Sequence, residues 1–121
     1  MRRATSTRRS TSAIGRAAER RVRLRYLLRG YRVLARNARA GGNELDLVVR
    51  RGGRVVFCEV KAKSGPRYGD PFEMVGPEKR RRLRRAAEAW LAQHPEVAGL
   101  HVSFEVAAVR GRRVQRLRDA F

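Results

Sequence analysis

Two acidic residues and a lysine in residues 44–63 have the types and the spacing of a hydrolytic metal site. In the run ELDLVVRRGGRVVFCEVKAK, Asp46 precedes the glycine pair at 52–53, and Glu59 and Lys61 follow it. Equal numbers of residues separate each carboxylate from the glycines. A hairpin that turns at the glycines therefore sets Asp46 nearly opposite Glu59. Because strand side chains alternate, Lys61 shares the face of Glu59.

This cluster has two interpretations, and the spacing alone leaves both open. In the first, Lys61 is the cation that makes two opposed carboxylates tolerable, and the cluster is a half-buried salt bridge. In the second, the carboxylates bind Mg²⁺, which takes one or two carboxylates together with waters and substrate phosphate. Such a metal activates water and neutralises a phosphodiester. A nearby lysine can position or deprotonate that water, whereas arginine is effectively never deprotonated.

The strong positive charge indicates a polyanionic partner. The chain has 30 basic and 11 acidic residues in 121, for a net charge of +19, and only Lys61, Lys63 and Lys79 are lysines. Nucleic acid is the first expectation for such a partner, and an anionic membrane surface is the second. Part of the arginine enrichment is also explained by coding bias, so charge alone does not decide the function.

The hydrophobic pattern predicts an α/β protein with helices packed on a mixed sheet. Ser12 is the expected cap of a first helix, in which Ile14, Ala18, Val22 and Tyr26 form the apolar ladder, widened by Ala17, Leu24, Leu27 and Leu28. The predicted order is helix 13–29, strands 31–39, 44–49 and 54–63, a long loop 64–76, helix 77–93, and strands 100–109 and 112–118.

The length predicts a single domain over 13–121, preceded by a disordered basic tail at 1–12. The single cysteine, Cys58, fits a reducing cytoplasm and has no neighbours typical of a nucleophile. No apolar run is long enough to span a bilayer, so no membrane association is expected.

Five runs together resemble the YraN family of small bacterial proteins, over about residues 13–121. They are GRAAE (15–19), LLRGYRVLARN (27–37), ELDLV (44–48), VFCEVK (56–61) and YGDPFEMVGPEKRRRL (68–83). That family is similar to the PD-(D/E)xK nuclease superfamily and to archaeal Holliday junction resolvases. The resemblance implies a restriction-endonuclease-like αβββαβ core and a metal-dependent endonuclease that cleaves DNA phosphodiester bonds, including those of branched or structured DNA. Because related resolvases are dimers, it also implies a homodimer.

The resemblance further implies specific roles for residues of the site. Asp46, Glu59 and Glu19 would bind Mg²⁺ or Mn²⁺, Lys61 would orient the attacking water, and Glu44 would support these groups. For Glu19 the sequence offers an alternative of equal weight, a surface ion pair with Arg23 one helical turn later.

Nucleic-acid contacts are expected on the basic residues around the long loop and the second helix, with DNA favoured over RNA. These residues are Lys63, Arg67, Lys79, Arg80 and Arg81. Two other functions remain open on the sequence. One is a nucleic-acid binding protein that keeps the nuclease fold without turnover. The other is a basic scaffold protein in which the acidic cluster is only a salt bridge.

Overall fold

The structure, a computed structural model, describes residues 2–63 and 76–118, and the side chains of residues 13–62 and 76–118. The elements are α1 (Arg2–Leu28), β1 (Arg32–Ala40), β2 (Asn43–Arg51), β3 (Arg54–Lys63), α2 (Pro77–Ala92), a 3₁₀ turn (Pro95–Val97), β4 (His101–Arg110) and β5 (Arg113–Arg118). This order confirms the predicted α/β class, with a mixed sheet flanked by helices in the order of a restriction-endonuclease-like αβββαβ core.

The five strands form one sheet in the order β1-β2-β3-β4-β5. The first three strands form an antiparallel meander, β4 runs parallel to β3, and β5 returns antiparallel to β4. A parallel neighbour requires a crossover connection, and α2 lies in that connection between β3 and β4. The candidate residues Glu59 and Lys61 therefore lie on the central strand of the sheet.

Each face of the sheet packs on one helix. On one face Val56 and Cys58 of β3 belong to an apolar cluster with Val22 and Tyr26 of α1. On the other face Val55 and Phe57 belong to a cluster with α2, which contributes Leu83, Ala86, Ala87 and Trp90. The alternation along β3 thus assigns even-numbered side chains to the α1 face and odd-numbered ones to the α2 face. Cys58 is a core residue, as expected.

The first helix begins earlier than the sequence predicts. α1 extends back to Arg2, so Ser12 lies inside the helix and does not cap it. The disordered basic tail expected at residues 1–12 stays a prediction, and the side chains of these residues lie outside the described part of the chain. The predicted domain boundary at residue 13 stays a prediction.

The buried stripe of α1 is narrower than expected. Ala18, Val22 and Tyr26 are buried, as the four-residue ladder predicts. The predicted apolar positions Ile14, Ala17, Leu24, Leu27 and Leu28 are instead exposed, Leu28 by 88%. A helix packed on one sheet buries only the side chains that face it, and these leucines lie on the flank of the ladder.

Residues 64–75, which make up most of the predicted functional loop, lie outside the described residues. The helix after them begins at Pro77, as predicted, because proline suits the first turn of a helix. None of the helices in the described ranges is long and apolar enough to cross a membrane.

Candidate functional site

The hairpin of β2 and β3 brings Asp46 and Glu59 side by side, as the sequence predicts. The register pairs Leu47 with Cys58, so Asp46 and Glu59 are the next residues on the two strands away from the turn. The backbone N–H of Val60 donates a hydrogen bond to Asp46 Oδ2 over 2.9 Å. This bond uses a donor on β3 to fix the Asp46 carboxylate against that strand.

The alternation of β2 breaks at Asp46. Leu47 packs on the α1 face, but Leu45, which strict alternation would place beside it, belongs to the cluster under α2. Strict alternation along β2 would put Leu45, Leu47 and Val49 on one face, and Leu45 departs from it. On β1 the residue across from the break is Asn37, whose φ of 49° is the one positive value among the described non-glycine residues. The local break leaves Asp46 between the two faces of the sheet.

Asp46 consequently lines two sizeable cavities, one on each side of the sheet, besides a pocket of about 10 Å³ beside Leu45 and Phe57. One, of about 300 Å³, lies on the side of α2 and is lined also by Asn43, Glu44, Glu59, Lys79, Arg82 and Leu83. The other, of about 430 Å³, lies on the side of α1 and is lined also by Gly15, Arg16, Glu19, Asn37, Glu44, Val60 and Ala62. Asp46 and Glu44 border both cavities, which places Glu44 near the carboxylate pair as the resemblance implies.

Two lysines contact the same oxygen of Glu59. Glu59 is only 7% exposed. Lys61 Nζ lies 3.2 Å and Lys79 Nζ 2.8 Å from Glu59 Oε2. Lys61 comes from the same strand, whereas Lys79 comes from the first turn of α2. The salt bridge of Glu59 and Lys61, which the sequence left as an alternative to a metal site, is therefore present and includes a second ammonium group.

The pKa values in the cluster follow from burial and from these neighbours. Burial and the adjacent Glu59 charge raise the pKa of Asp46 to about 7, although the Val60 hydrogen bond opposes the shift. Burial lowers the pKa of Lys61, and the proximity of Lys79 lowers it further against the opposing effect of Glu59. Burial is the largest single influence on Lys79 and lowers its pKa, but the contacts with Glu59 and Lys61 and the charge of Asp46 together outweigh burial, so the pKa of Lys79 is raised overall. Lys61 is therefore the more readily deprotonated amine.

Glu19 joins this site only through the α1-side cavity. It is 6% exposed, and its oxygens lie 2.7 Å from Arg23 Nη1 and 3.3 Å from Arg36 Nε. The ion pair with Arg23, left open as the alternative role of Glu19, is thus present, but it is largely buried and not on the surface. Glu19 borders the α1-side cavity together with Asp46, whereas Glu59 does not line that cavity and borders the one on the opposite face.

The residues predicted to contact nucleic acid do not lie together: one is in the acidic cluster, and two are exposed on α2. Lys79 lies inside the acidic cluster, and Arg81 is exposed on α2 with Nη2 2.9 Å from Glu78 Oε1. Arg80 is exposed on the same helix. Arg67 and the side chain of Lys63 lie outside the described residues.

Sequence reasoning missed two features of this site. Asn37 has a low strand propensity and belongs to the few residue types that tolerate positive φ, which was the available signal in the middle of a strand. Lys79 was assigned to phosphate contacts. The signal that singled out Lys61, a lysine in a chain that otherwise uses arginine, applied to Lys79 equally.

The donor set fits an open metal site of two carboxylates. Asp46 and Glu59 are adjacent and line one cavity, and the charge of Glu59 disfavours ionisation of Asp46, which is the arrangement that a divalent cation relieves. Among the side chains that the structure describes, no group of three or more His, Cys, Asp or Glu could hold a metal. Glu19 therefore does not complete a closed cluster, and the remaining ligands of a Mg²⁺ ion would be waters and substrate oxygens, as is usual for this ion.

A sequence profile of the uncharacterised protein family UPF0102 matches residues 8–117. The chain belongs to this family. That membership confirms the family resemblance, whereas the link to the PD-(D/E)xK superfamily stays a prediction.

Members of the UPF0102 family from distant bacteria are similar over nearly the whole chain. A UPF0102 protein of Halorhodospira halophila is 43% identical over 96% of this chain and 93% of its own length. A UPF0102 protein of Frankia casuarinae is 44% identical over 93% of this chain and 99% of its own length. A UPF0102 protein of Ralstonia nicotianae is 47% identical over 91% of this chain and 87% of its own length. Their names state the family and no activity, so the function is argued from the site.

Proposed function

We propose that this UPF0102 protein is a metal-dependent endonuclease that cleaves phosphodiester bonds of DNA. The observation that carries the proposal is the juxtaposition of Asp46 and Glu59 across the hairpin, where both carboxylates line a cavity of about 300 Å³. Lys61 Nζ lies 3.2 Å from Glu59 Oε2. Paired carboxylates that can hold a divalent metal, beside a lysine of lowered pKa that can handle a proton, suit metal-assisted phosphodiester hydrolysis.

Each residue has a role that follows from its contacts. Asp46, whose carboxylate accepts the Val60 N–H, and Glu59 would hold Mg²⁺ or Mn²⁺. When bound, this ion would supply Lewis-acid stabilisation of the phosphate charge and a more acidic water. Lys61 is placed to orient that water and to accept its proton, because its amine is the more readily deprotonated of the two at the site.

Glu44 and Glu19 have supporting roles in the proposal. Glu44 lies at the border of both cavities, where it adds negative charge close to the metal ligands. Glu19 is neutralised by Arg23 and Arg36, so it would act by positioning these arginines along the α1-side cavity. The proposal places this activity in the bacterial cytoplasm, where DNA is available and Cys58 stays reduced.

Basic residues around the acidic pair would hold the substrate backbone. Arg82 and Lys79 line the α2-side cavity, Arg16 lines the other, and Arg80 and Arg81 lie on the exposed side of α2. With a net charge of +19, such residues give strong, salt-sensitive attraction to phosphates. A site that opens toward both faces of the sheet suits branched or otherwise structured DNA, whose strands diverge at the scissile position.

A homodimer belongs to the same proposal, by likeness to the related resolvases. The leucines that α1 exposes, Leu24, Leu27 and Leu28, offer apolar surface of the kind that a second copy covers. Light scattering in solution should give about twice the chain mass of 13.8 kDa. The mass of one chain would remove the dimer from the proposal.

A nucleic-acid binding protein without turnover is the second candidate. The observation that favours it is the double salt bridge at Glu59, since two ammonium groups already neutralise this carboxylate. This candidate predicts tight, salt-sensitive binding of nucleic acid and no strand cleavage with any divalent metal.

The experiment incubates the purified protein with linear duplex, single-stranded and four-way-junction DNA, and with RNA of the same sequences. Each substrate is tested with Mg²⁺, Mn²⁺ or EDTA. The endonuclease proposal predicts metal-dependent cleavage, strongest on one DNA structure, that Glu59→Gln abolishes. The matched control is Glu88→Gln, which removes an exposed carboxylate of α2 outside both cavities. Binding without cleavage under all conditions would favour the second candidate.

A further inference from the structure

Glu59 Oε2 carries two cationic contacts, and they differ in origin. Lys61 is two positions along the same strand, so β3 itself keeps its ammonium group near Glu59. Lys79 reaches the same oxygen from α2, across the cavity, and its contact of 2.8 Å is the shorter one. The Lys79 side chain is 34% exposed, compared with 8% for that of Glu59. Lys79 can therefore leave this oxygen toward solvent, whereas Glu59 stays in place.

A divalent cation at the carboxylate pair would compete with Lys79. A carboxylate oxygen offers about two lone-pair directions, and two ammonium groups already use those of Oε2. Like charges also repel, so a metal beside Asp46 and Glu59 disfavours both ammonium groups. Because Lys61 is confined by its strand, Lys79 is the group whose departure relieves the repulsion.

The position of Lys79 on its helix favours movement of its ammonium group toward a phosphate. Lys79 lies in the first turn of α2, where the helix dipole disfavours a cation and favours an anion. Glu59 is the anion that compensates this lysine in the free protein. A substrate phosphate in the α2-side cavity, which Lys79 and Arg82 both line, would supply an alternative anion.

We infer that the ammonium group of Lys79 binds Glu59 Oε2 while no metal is bound, and that it moves to a phosphate oxygen of the nucleic acid when the metal enters. This inference rests on the proposed function. Lys79 is then a positioning residue that keeps Glu59 in its ligand orientation and couples metal binding to substrate binding. It limits metal affinity in the absence of nucleic acid and supports it when nucleic acid is present.

A permanent structural salt bridge is the competing account, and metal binding without substrate distinguishes the two. Mn²⁺ binding is measured by titration calorimetry on the wild type, Lys79→Met, Lys79→Arg and Arg82→Met, in the absence of nucleic acid. Arg82→Met is the matched control, because it removes a positive charge from the same helix and the same cavity. Glu59→Gln combined with Lys79→Met checks that Glu59 is a ligand.

The inference predicts that Lys79→Met binds Mn²⁺ about five- to tenfold more tightly than the wild type, as expected for loss of one competing ion pair. Lys79→Arg should remain near the wild type because it keeps a cation there. Arg82→Met should show a clearly smaller gain, and the double variant should lose the gain. Adding a short DNA oligonucleotide should raise the Mn²⁺ affinity of the wild type. The increase should be smaller for Lys79→Met, which lacks the group that couples metal binding to DNA binding.

The outcomes separate this inference from the proposed function. Mn²⁺ binding by the wild type with equal or weaker binding by Lys79→Met would overturn the role of Lys79 and leave the metal site standing. No Mn²⁺ binding by any of the variants would overturn both. If Lys79→Met does not fold, lysine-labelled wild-type protein provides the test, since only three lysines are present. The Lys79 signal should shift during a Mg²⁺ titration, and an unchanged signal under saturating metal would contradict the inference.

Discussion

Asp46 is the central residue of the candidate site. Its strand loses its alternation there, its carboxylate accepts the N–H of Val60, and Glu59 lies beside it. Burial and the charge of Glu59 together raise the pKa of Asp46 to about 7. In the metal-free protein this carboxyl group therefore titrates near neutral pH.

The raised pKa predicts how stability depends on pH. Because the folded value of about 7 exceeds the ordinary value of 3.8, the folded chain binds the proton more tightly than the unfolded chain. The contribution of Asp46 is therefore greatest below about pH 4 and is lost as the pH rises to 7. In EDTA, Asp46→Asn should gain stability relative to the wild type between pH 5 and pH 8. Each unit of pH between 5 and the pKa of about 7 contributes about 1.4 kcal/mol. Because water reaches the cavity and reduces this effect, the expected gain is roughly 2 kcal/mol.

Urea unfolding at the two pH values measures this gain, with Glu88→Gln as the control for loss of one negative charge. Asparagine keeps an oxygen that can accept the Val60 N–H, so the comparison isolates the charge. A difference between Asp46→Asn and the wild type that stays constant from pH 5 to pH 8 would show that Asp46 is not perturbed.

Asn37 supports Asp46 through its backbone conformation. Its φ of 49° lies in the left-handed region, which β-branched residues adopt only with strain. Asn37→Val should therefore destabilise the fold by about 1–2 kcal/mol, whereas Asn37→Gly should be nearly neutral. Arg39→Val, on the same strand, is the matched control and should have little effect, since valine favours extended backbone. Equal unfolding midpoints for the two valine variants would contradict the claim of local strain.

At the scale of the elements, much of the fold follows from patterns that are local in the sequence. The glycine pair at 52–53 fixes the register of β2 and β3, and with it the neighbourhood of Asp46 and Glu59. The contact of Lys79 with Glu59 depends on how α2 crosses the sheet, which no local pattern encodes. The break at Asp46 likewise depends on two packed faces that accept Leu45 and Leu47 separately. The part of the site within the hairpin was therefore predictable, and the part that joins elements was not.

Helix α1 is attached to the sheet by a buried polar contact as well as by its apolar ladder. The Tyr26 hydroxyl donates a hydrogen bond to Glu105 on β4, and Arg54 and Arg116 lie 3.8 and 3.6 Å from that carboxylate. Burial, with Cys58 and Glu105 nearby, raises the pKa of Tyr26 above its ordinary range, so the hydroxyl stays a donor. This contact fixes the helix that carries Glu19.

Removing the Tyr26 hydroxyl should leave the buried Glu105 carboxylate to its longer contacts with Arg54 and Arg116. Tyr26→Phe is expected to lower the free energy of unfolding by about 2 kcal/mol, in the range found for hydrogen bonds to charged groups. Tyr31→Phe is the matched control, because the Tyr31 ring packs edge-on against Tyr26 and its apolar contacts survive the change. Chemical denaturation gives both values, and an equal effect of the two substitutions would show that the Glu105 contact contributes little.

At the scale of the whole molecule, the charge of +19 and the open acidic pair have complementary effects. The charge attracts a polyanion from any direction, while Asp46 and Glu59 form a small acidic centre within a basic surface. In the metal-free protein Lys61 and Lys79 compensate the charge of Glu59, and a divalent cation would take over this compensation and free Lys79 for a phosphate. This arrangement predicts that metal and nucleic acid bind cooperatively.

The basic side of α2 should determine how binding depends on salt. Replacing Arg80 and Arg81 by glutamine should reduce the slope of log affinity against log salt by about 1.8, roughly 0.9 for each lost phosphate contact. Arg29 and Arg32 lie beside the end of the sheet away from Asp46 and are exposed, so the same double substitution there is the control. Fluorescence anisotropy at several salt concentrations measures both slopes. Equal changes would show that the charge acts without a preferred face.

Cleavage by the Lys61→Met variant tests the central claim most directly. The rate of DNA strand scission is measured with Mn²⁺ at saturating protein, for the wild type and Lys61→Met, on the DNA structure that the wild type binds best. The proposed site predicts cleavage by the wild type and similar DNA affinity for both proteins. Lys61→Met should be about 10²- to 10⁴-fold slower, the usual contribution of a positioned acid–base group. Equal rates for the two proteins, or tight binding by the wild type without any cleavage, would contradict a catalytic role for this site.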